Sequence, residues 1–183
     1  MPHSTPTLHA DGPRTLLAPL APGDGPEFLR LAEASRAFHH PWVAPPRTEE
    51  GFAQLLGRIG DRFRSFALRR RGDGDLVGVF NLSEITRGAL RSAYLGYYAF
   101  APYAGQGLMG EGMHLLLSIA FGPLELHRVE ANVRPENRAS IRLVRRTGFE
   151  REGFSRAYLF LDGAWRDHER WAIREEIWTP PTV

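Results

Sequence analysis

The stretch YAGQGLMGEGM, residues 103–113, holds Gly105, Gly107 and Gly110 in the spacing G-x-G-x-x-G. Glycines at a helix start leave backbone N–H groups bare, and the helix dipole adds positive potential there, so the chemistry on offer is the binding of phosphate. Two ligands fit such a loop: a nicotinamide dinucleotide, and the pyrophosphate of coenzyme A in a looser version. A third account is a tight connection in which three glycines serve only the backbone.

Other residues could move protons or hold an acceptor. Glu130 lies twenty residues after Gly110, near where a dinucleotide site wants a ribose-binding acid. In HRVEANV, Val129, Ala131 and Val133 point one way and Arg128, Glu130 and Asn132 the other. A central strand with one polar face needs partners for its charges, so this face is either an Arg–Glu network or a reactive surface. Glu84 is a second candidate base, with a solvated carboxylate near a turn as the alternative. Asn137 and Ser140, three residues apart, share the first turn of a helix, which Asn137 can cap. His39, His40 and Trp42 sit in the proline-broken loop FHHPWVAPPR. Adjacent histidines point in different directions, and neither His127 nor His168 has ligand spacing, so no metal is expected. Tyr158 is either a proton donor or a packed sheet tyrosine.

The elements that must position these residues follow from periodicity and stop signals. RTLLAPL reads as a strand, Asp24 caps a helix to about Ser35, and Thr48 caps another to about Phe63. SFALRR, LVGVFNLSEI and SAYLGYYAF read as a three-strand meander with GDGD and TRGALR as turns. The glycine loop then opens the helix MHLLLSIAF. The strand HRVEANV follows, then a helix from Pro135 to Gly148, and FSRAYLFL-DG-AWRDHERWAI closes the chain as a hairpin. A dinucleotide fold needs several more crossovers than the roughly 70 residues after the loop allow, and an antiparallel meander precedes it. The expected fold class is α/β: a mixed, mostly antiparallel sheet flanked by helices, with one β-loop-α-β-α unit. Residues 1–183 are expected to form one domain, with 1–13 a flexible tail.

Composition bounds the partners. The chain has 183 residues and no cysteine, and all 23 basic residues are arginine, which excludes disulfides, thiolate chemistry, a Schiff-base lysine and a G-K-[ST] phosphate loop. A net charge of +2 suits an acidic ligand; there is no basic run interleaved with aromatics to suggest nucleic acid. No apolar run approaches a membrane span and no secretory signal is visible, so a cytoplasmic protein is expected.

The order of strand, glycine loop, helix, strand and Asn-x-x-Ser helix resembles the GNAT acetyltransferase superfamily. It is most similar to the branch that acetylates the N-terminal amines of ribosomal proteins. The similarity spans Thr15 to Glu176 and rests on LGYYAFAPYAGQGLMGEGM, HRVEANVRPENRASIRLVRRTGFEREG and LDGAWRDHERWAI. It implies an N-acetyltransferase using acetyl-CoA as cosubstrate, without metal, acting on a primary amine that is either a protein N-terminus or a small amine, as a monomer or homodimer. It also implies that Tyr98, Ala99 and Phe100 offer backbone groups to pantetheine. Gly105, Gln106, Gly107, Leu108, Met109 and Gly110 would cradle the pyrophosphate, and Asn137 and Ser140 would lie near the thiol, with Ser140 as acid. Glu130, or Glu84, would be the base; His39, Trp42 and Asn132 would face the acceptor. Ala104 and Met109 depart from the superfamily's usual loop, Val144 replaces a tyrosine of some relatives, and Leu159 falls where the serine branch has a catalytic glutamate. A non-catalytic acyl-CoA-binding module is therefore the alternative, ahead of an NAD(P)-dependent oxidoreductase.

Overall fold

The computed structural model describes residues 8–180. Its strands are β1 (Ala10–Asp11), β2 (Thr15–Pro19), β3 (Phe63–Arg70), β4 (Leu76–Thr86), β5 (Ser92–Ala99), β6 (Arg128–Val133), β7 (Glu150–Leu161) and β8 (Ala164–Arg174). They form one eight-stranded sheet in the order β1-β2-β3-β4-β5-β6-β8-β7. Every neighbouring pair is antiparallel except β5 and β6. One parallel junction in an antiparallel sheet is incompatible with a doubly wound dinucleotide fold, and it is the mixed sheet expected from the element order.

Alternate residues of β3 and β5 feed two cores. Phe66, Leu68, Ala93 and Leu95 pack with helices α4 (Leu108–Phe121) and α5 (Arg138–Arg146) on one face. Phe63, Ala67, Tyr98 and Phe100 pack on the other face with Phe28 and Leu31 of α1 (Gly25–Ala34) and Phe52 and Leu55 of α3 (Glu49–Gly57). Helix α4 lies close on the sheet because Gly112 has no side chain: a Cβ there would stand 2.7 Å from Leu68. Met109, unusual for the superfamily's loop, fits for a similar reason. Its sulfur lies over Gly78 of β4, 2.8 Å from where a Cβ would be.

Several expected boundaries shift. The helix begun at Thr48, whose hydroxyl accepts from the Gly51 N–H, ends at Gly57 and not at Phe63. Gly60 and Phe63 exchange backbone hydrogen bonds across a turn, which makes Phe63 the first residue of β3. Asp24 precedes α1 without capping it; its carboxylate accepts from Ala21 N–H and pairs with Arg69. The helix expected from Pro135 starts at Arg138, because the Asn137 side chain caps it. The proline-broken loop is preceded by one helical turn, α2 (Arg36–His39). The tail expected over residues 1–13 enters the sheet, since Ala10 and Asp11 pair with β2; residues 1–7 lie outside the described residues.

Candidate active site

The cleft begins where β5 and β6 part. They share only the pairs Ser92–Arg128, Ala93–Val129 and Tyr94–Glu130, and then diverge. On its other side β5 stays in register with β4 to Ala99. The Phe100 N–H donates to the Val77 carbonyl, so by alternation Tyr98 and Phe100 spend their backbone groups on β4. Leu95, Tyr97 and Ala99 turn theirs toward the gap. Of the three residues expected to greet pantetheine, Ala99 alone faces the gap, and its carbonyl already accepts from His39 Nε2 at 2.8 Å. Tyr97 and Leu95 are the residues the pattern missed. Which edge of β5 is open depends on the β4 register, which a single strand's residues do not reveal.

The glycine loop sits at the start of α4 as expected. Gly105 and Gly107 have φ of +74° and +78°, and Gly107 is the residue preceding α4. Such angles favour glycine, and they are the kind of backbone turn by which a loop can aim successive N–H groups at an anion. Gln106, Leu108, Met109 and Gly110 complete the loop and first turn, with Leu108 and Gly110 buried. Two arginines flank it. Arg14 Nη1 donates to the Gln106 carbonyl at 3.1 Å, and a Cβ on Gly110 would stand 3.1 Å from Arg146 Nη2. Arg14 is placed by Glu111, which also accepts from the Thr15 N–H and hydroxyl, each at 2.7 Å. Burial opposes the charge on Glu111, but the hydrogen bonds from Thr15 and Arg14 outweigh it and its pKa is lowered.

At the far end, a cavity of about 180 Å³ is lined by residues from both sheet faces, including Tyr97, Asn132, Asn137, Ser140, Leu159 and His168. Ser140 shares a 2.5 Å hydrogen bond with the Tyr97 hydroxyl. Burial pushes the Tyr97 pKa up to about 12, with the Ser140 contact opposing it, so the pair is protonated at neutral pH and able to donate. Asn137 Oδ1 accepts from the Ser140 N–H at 3.1 Å, which caps α5 and leaves its amide nitrogen for the cavity. Asn132 Oδ1 is buried without a hydrogen-bond partner in the described residues. A buried, unpartnered acceptor at a cavity wall is suited to a donor on a bound substrate.

A wider cavity of about 800 Å³ opens outside this one, lined by α2, the following loop and the tip of the β7–β8 hairpin. Trp42, Val43 and Leu161 border both. The Arg134 guanidinium stacks 5.1 Å from the Trp42 ring, and Arg134 Nη1 donates to the Pro41 carbonyl. His39 borders the outer cavity, but it is buried and edge-on to Tyr98; its tie to Ala99 anchors α2 to the sheet.

The two carboxylates read as candidate bases are elsewhere engaged. Glu130 accepts from Arg128 Nε at 2.8 Å, and Arg128 also clamps Glu152, so the polar face of β6 is in part the Arg–Glu network. Glu84 is exposed in a bulge of β4 and pairs with Arg62. Neither lines either cavity. Tyr158 packs its ring edge-on to His168 at 6.0 Å. Among the described residues no group of three His, Asp or Glu is placed to hold a metal.

A splayed mixed sheet with a glycine loop opening a helix at one end of the gap and a polar pocket at the other is the architecture of an acyl-CoA transferase, the class to which comparisons with known proteins assign the chain. The sequence matches the acetyltransferase (GNAT) domain family over residues 14–150, and the chain belongs to it. The activity is acetyl-CoA-dependent N-acetylation. The chain is 35% identical over 164 residues to the ribosomal protein uS5-alanine N-acetyltransferase of Escherichia coli, covering 82% of this chain and 84% of that protein. It is 32% identical to Mycobacterium smegmatis RimJ, solved in complex with CoA-disulfide, with a TM-score of 0.81 over 88% of this chain and 82% of that one. The ribosomal-protein-S5-alanine acetyltransferase of Vibrio fischeri shares the fold, with a TM-score of 0.82 at 24% identity over 94% of this chain and 99% of that one.

Proposed function

We propose that the acceptor is the α-amine of a protein N-terminus. One observation carries this: the path to the reaction centre has no acidic surplus. Glu33 and Asp162 on the outer cavity are balanced by Arg36 and Arg47, and among the described residues the inner cavity is lined by Arg134 and by no carboxylate. A polyamine, which brings several positive charges, needs an acidic channel. A peptide terminus brings one, on an amine whose pKa of about 7.7–8.0 is far easier to deprotonate than a lysine-like amine near 10.4. The similarity to a uS5-alanine N-acetyltransferase supports the same acceptor class.

Acetyl-CoA supplies the activated acetyl group. The loop from Gly105 to Gly110, with Arg14 and Arg146, holds its phosphates, and the edge of β5 pairs with pantetheine. Asn137 and Ser140 stand at the thiol, where the Ser140 hydroxyl, backed by Tyr97, donates a proton to the departing sulfur. Asn132 accepts from the acceptor amine, and Trp42 walls the channel through which the peptide enters. We place the reaction in the cytoplasm. Thiol release with short peptides beginning in Ala or Ser, set beside spermidine and spermine, tests the acceptor. Turnover of a peptide at a kcat/KM at least tenfold above either polyamine is expected; the reverse order overturns the proposal.

A further inference from the structure

We propose that His168 is the general base of the reaction, taking the proton of the acceptor ammonium at Nε2. Position comes first. On β6 the polar face runs through Asn132, which stands opposite Arg170 of β8. Two residues along the same face of β8 is His168. It is 2% exposed and lines the inner cavity together with Asn132 and Ser140. Asn132 would hold the amine from one side while Ser140 reaches the sulfur from the opposite face of the sheet, through the gap left by β5 and β6.

The hydrogen bonding of the ring sets its tautomer. His168 Nδ1 donates to the Arg166 carbonyl at 3.0 Å, which puts the proton on Nδ1 and the lone pair on Nε2. Nε2 has no partner in the described residues. Elimination points the same way: Asp and Glu are missing from the lining, and Arg134, Asn137 and Ser140 are not bases at neutral pH. The groups around the ring are Arg134 from the end of β6, Glu136 beyond it, Arg166 and Asp167 of its own strand and Tyr158 of β7, with Ser140 of α5 across the cavity. Burial lowers the His168 pKa below 6.5; the Arg166 carbonyl opposes this and Arg134 reinforces it. The imidazole is therefore neutral at pH 7 and ready to accept.

The steps balance. The ammonium gives one proton to Nε2, and the freed nitrogen lone pair forms the C–N bond to the thioester carbon. The C–S bond then breaks with its electron pair going to sulfur. The sulfur takes a proton from Ser140, and the second proton lost by the nitrogen restores that hydroxyl through the Tyr97–Ser140 pair. The imidazolium releases its proton to solvent, so amide, thiol and one proton are the products.

The inference depends on the peptide proposal only for the choice of amine, and the assay uses whichever amine the wild-type chain turns over best. His168→Asn keeps an amide donor near the Nδ1 position and removes the base. We expect kcat to fall by ~10²-fold or more, with the KM for acetyl-CoA within about twofold and the stabilisation by CoA retained. The acidic limb of the wild-type kcat/KM profile, lying below pH 6.5, should vanish in the variant. A folded variant within about threefold of wild-type kcat overturns the proposal. So does a wild-type profile without that limb. If His168→Asn does not fold, NMR titration of ring-labelled histidine in the wild-type chain decides, the His168 signal being identified through its contact with Tyr158. A titration coinciding with the kinetic limb supports the proposal and a mismatch overturns it. A chain that acetylates spermidine and not peptides, yet loses turnover in His168→Asn, would sink the peptide acceptor and leave His168 standing.

Discussion

At the end of the cleft proposed to hold phosphate, the candidate site is one continuous stretch from Gly105 to Gly110 that would act through backbone N–H groups. At the acceptor end, Asn132, Ser140 and His168 arrive from β6, α5 and β8, and none is within five residues of another. A backbone-built site is compact in sequence because successive N–H groups must converge on one anion, and only particular φ values do that. A side-chain-built site has no such requirement. Its parts need only meet in space, and each can come from wherever the sheet brings it. The first kind of site is sensitive to conformation and tolerant of side-chain type, which is why departures such as Ala104 and Met109 are compatible with it. The second is tolerant of conformation along the chain and sensitive to the identity of single atoms.

The largest effect should come from forcing the backbone-built end out of its conformation. Gly107→Val places a β-branched residue at φ +78° on an exposed position, where a Cβ meets nothing closer than Arg14 Nη2 at 3.4 Å. The strain, about 1–3 kcal/mol, falls on the loop and not on the core. The variant should fold, and calorimetry should show CoA affinity reduced ~10²-fold. Unchanged affinity in a folded variant would break the contrast at its stronger end.

A smaller effect is expected on the side-chain side. Ser140→Ala removes the proposed proton donor and leaves the cap from Asn137 intact, because that bond goes to the backbone N–H. The expected loss is roughly 10- to 100-fold in kcat with CoA affinity unchanged. Tyr97→Phe should cost less, since the serine hydroxyl stays in place without its 2.5 Å partner. Steady-state kinetics of the two variants, with CoA binding measured alongside, sharpens the comparison. Equal loss of affinity and turnover would mean that this end, too, acts through binding.

The smallest effect should come from Glu130→Gln. Arg128 keeps Glu152 as a partner, so stability should fall by no more than about 1 kcal/mol. Turnover and the pH–rate profile should match wild type. A lost acidic limb in this variant would return Glu130 to the role of base and remove His168 from it.

Much of the frame was legible along the chain. The glycine loop, the helix it opens, the two-faced strand Arg128–Val133 and the closing hairpin all follow from local periodicity and turn chemistry. Where the elements differ from expectation, one cause is distant and one local: Arg69 draws Asp24 away from capping the first helix, and the Gly60–Phe63 turn ends the second helix early. Among the candidate site residues, Asn132 is singled out by the alternation of its strand and Ser140 by the resemblance to the family, and both line the inner cavity. Glu130 and Glu84 were plausible as carboxylates, but their partners Arg128 and Arg62 engage them away from the cavity. His168 and Tyr97 carried no signal. A histidine or tyrosine in a β-strand looks the same whether it packs in a core or borders a cavity.

By itself the sequence determined the local elements and the glycine loop, because helices and turns are built from residues adjacent in the chain. Only the tertiary structure decided which proton donors and acceptors share the inner cavity. That depends on the parting of β5 from β6 and on the pairing of β6 with β8, contacts between segments some forty residues apart. Their register sets which side chains meet, and a shift of one residue would turn Asn132 or His168 to the opposite face.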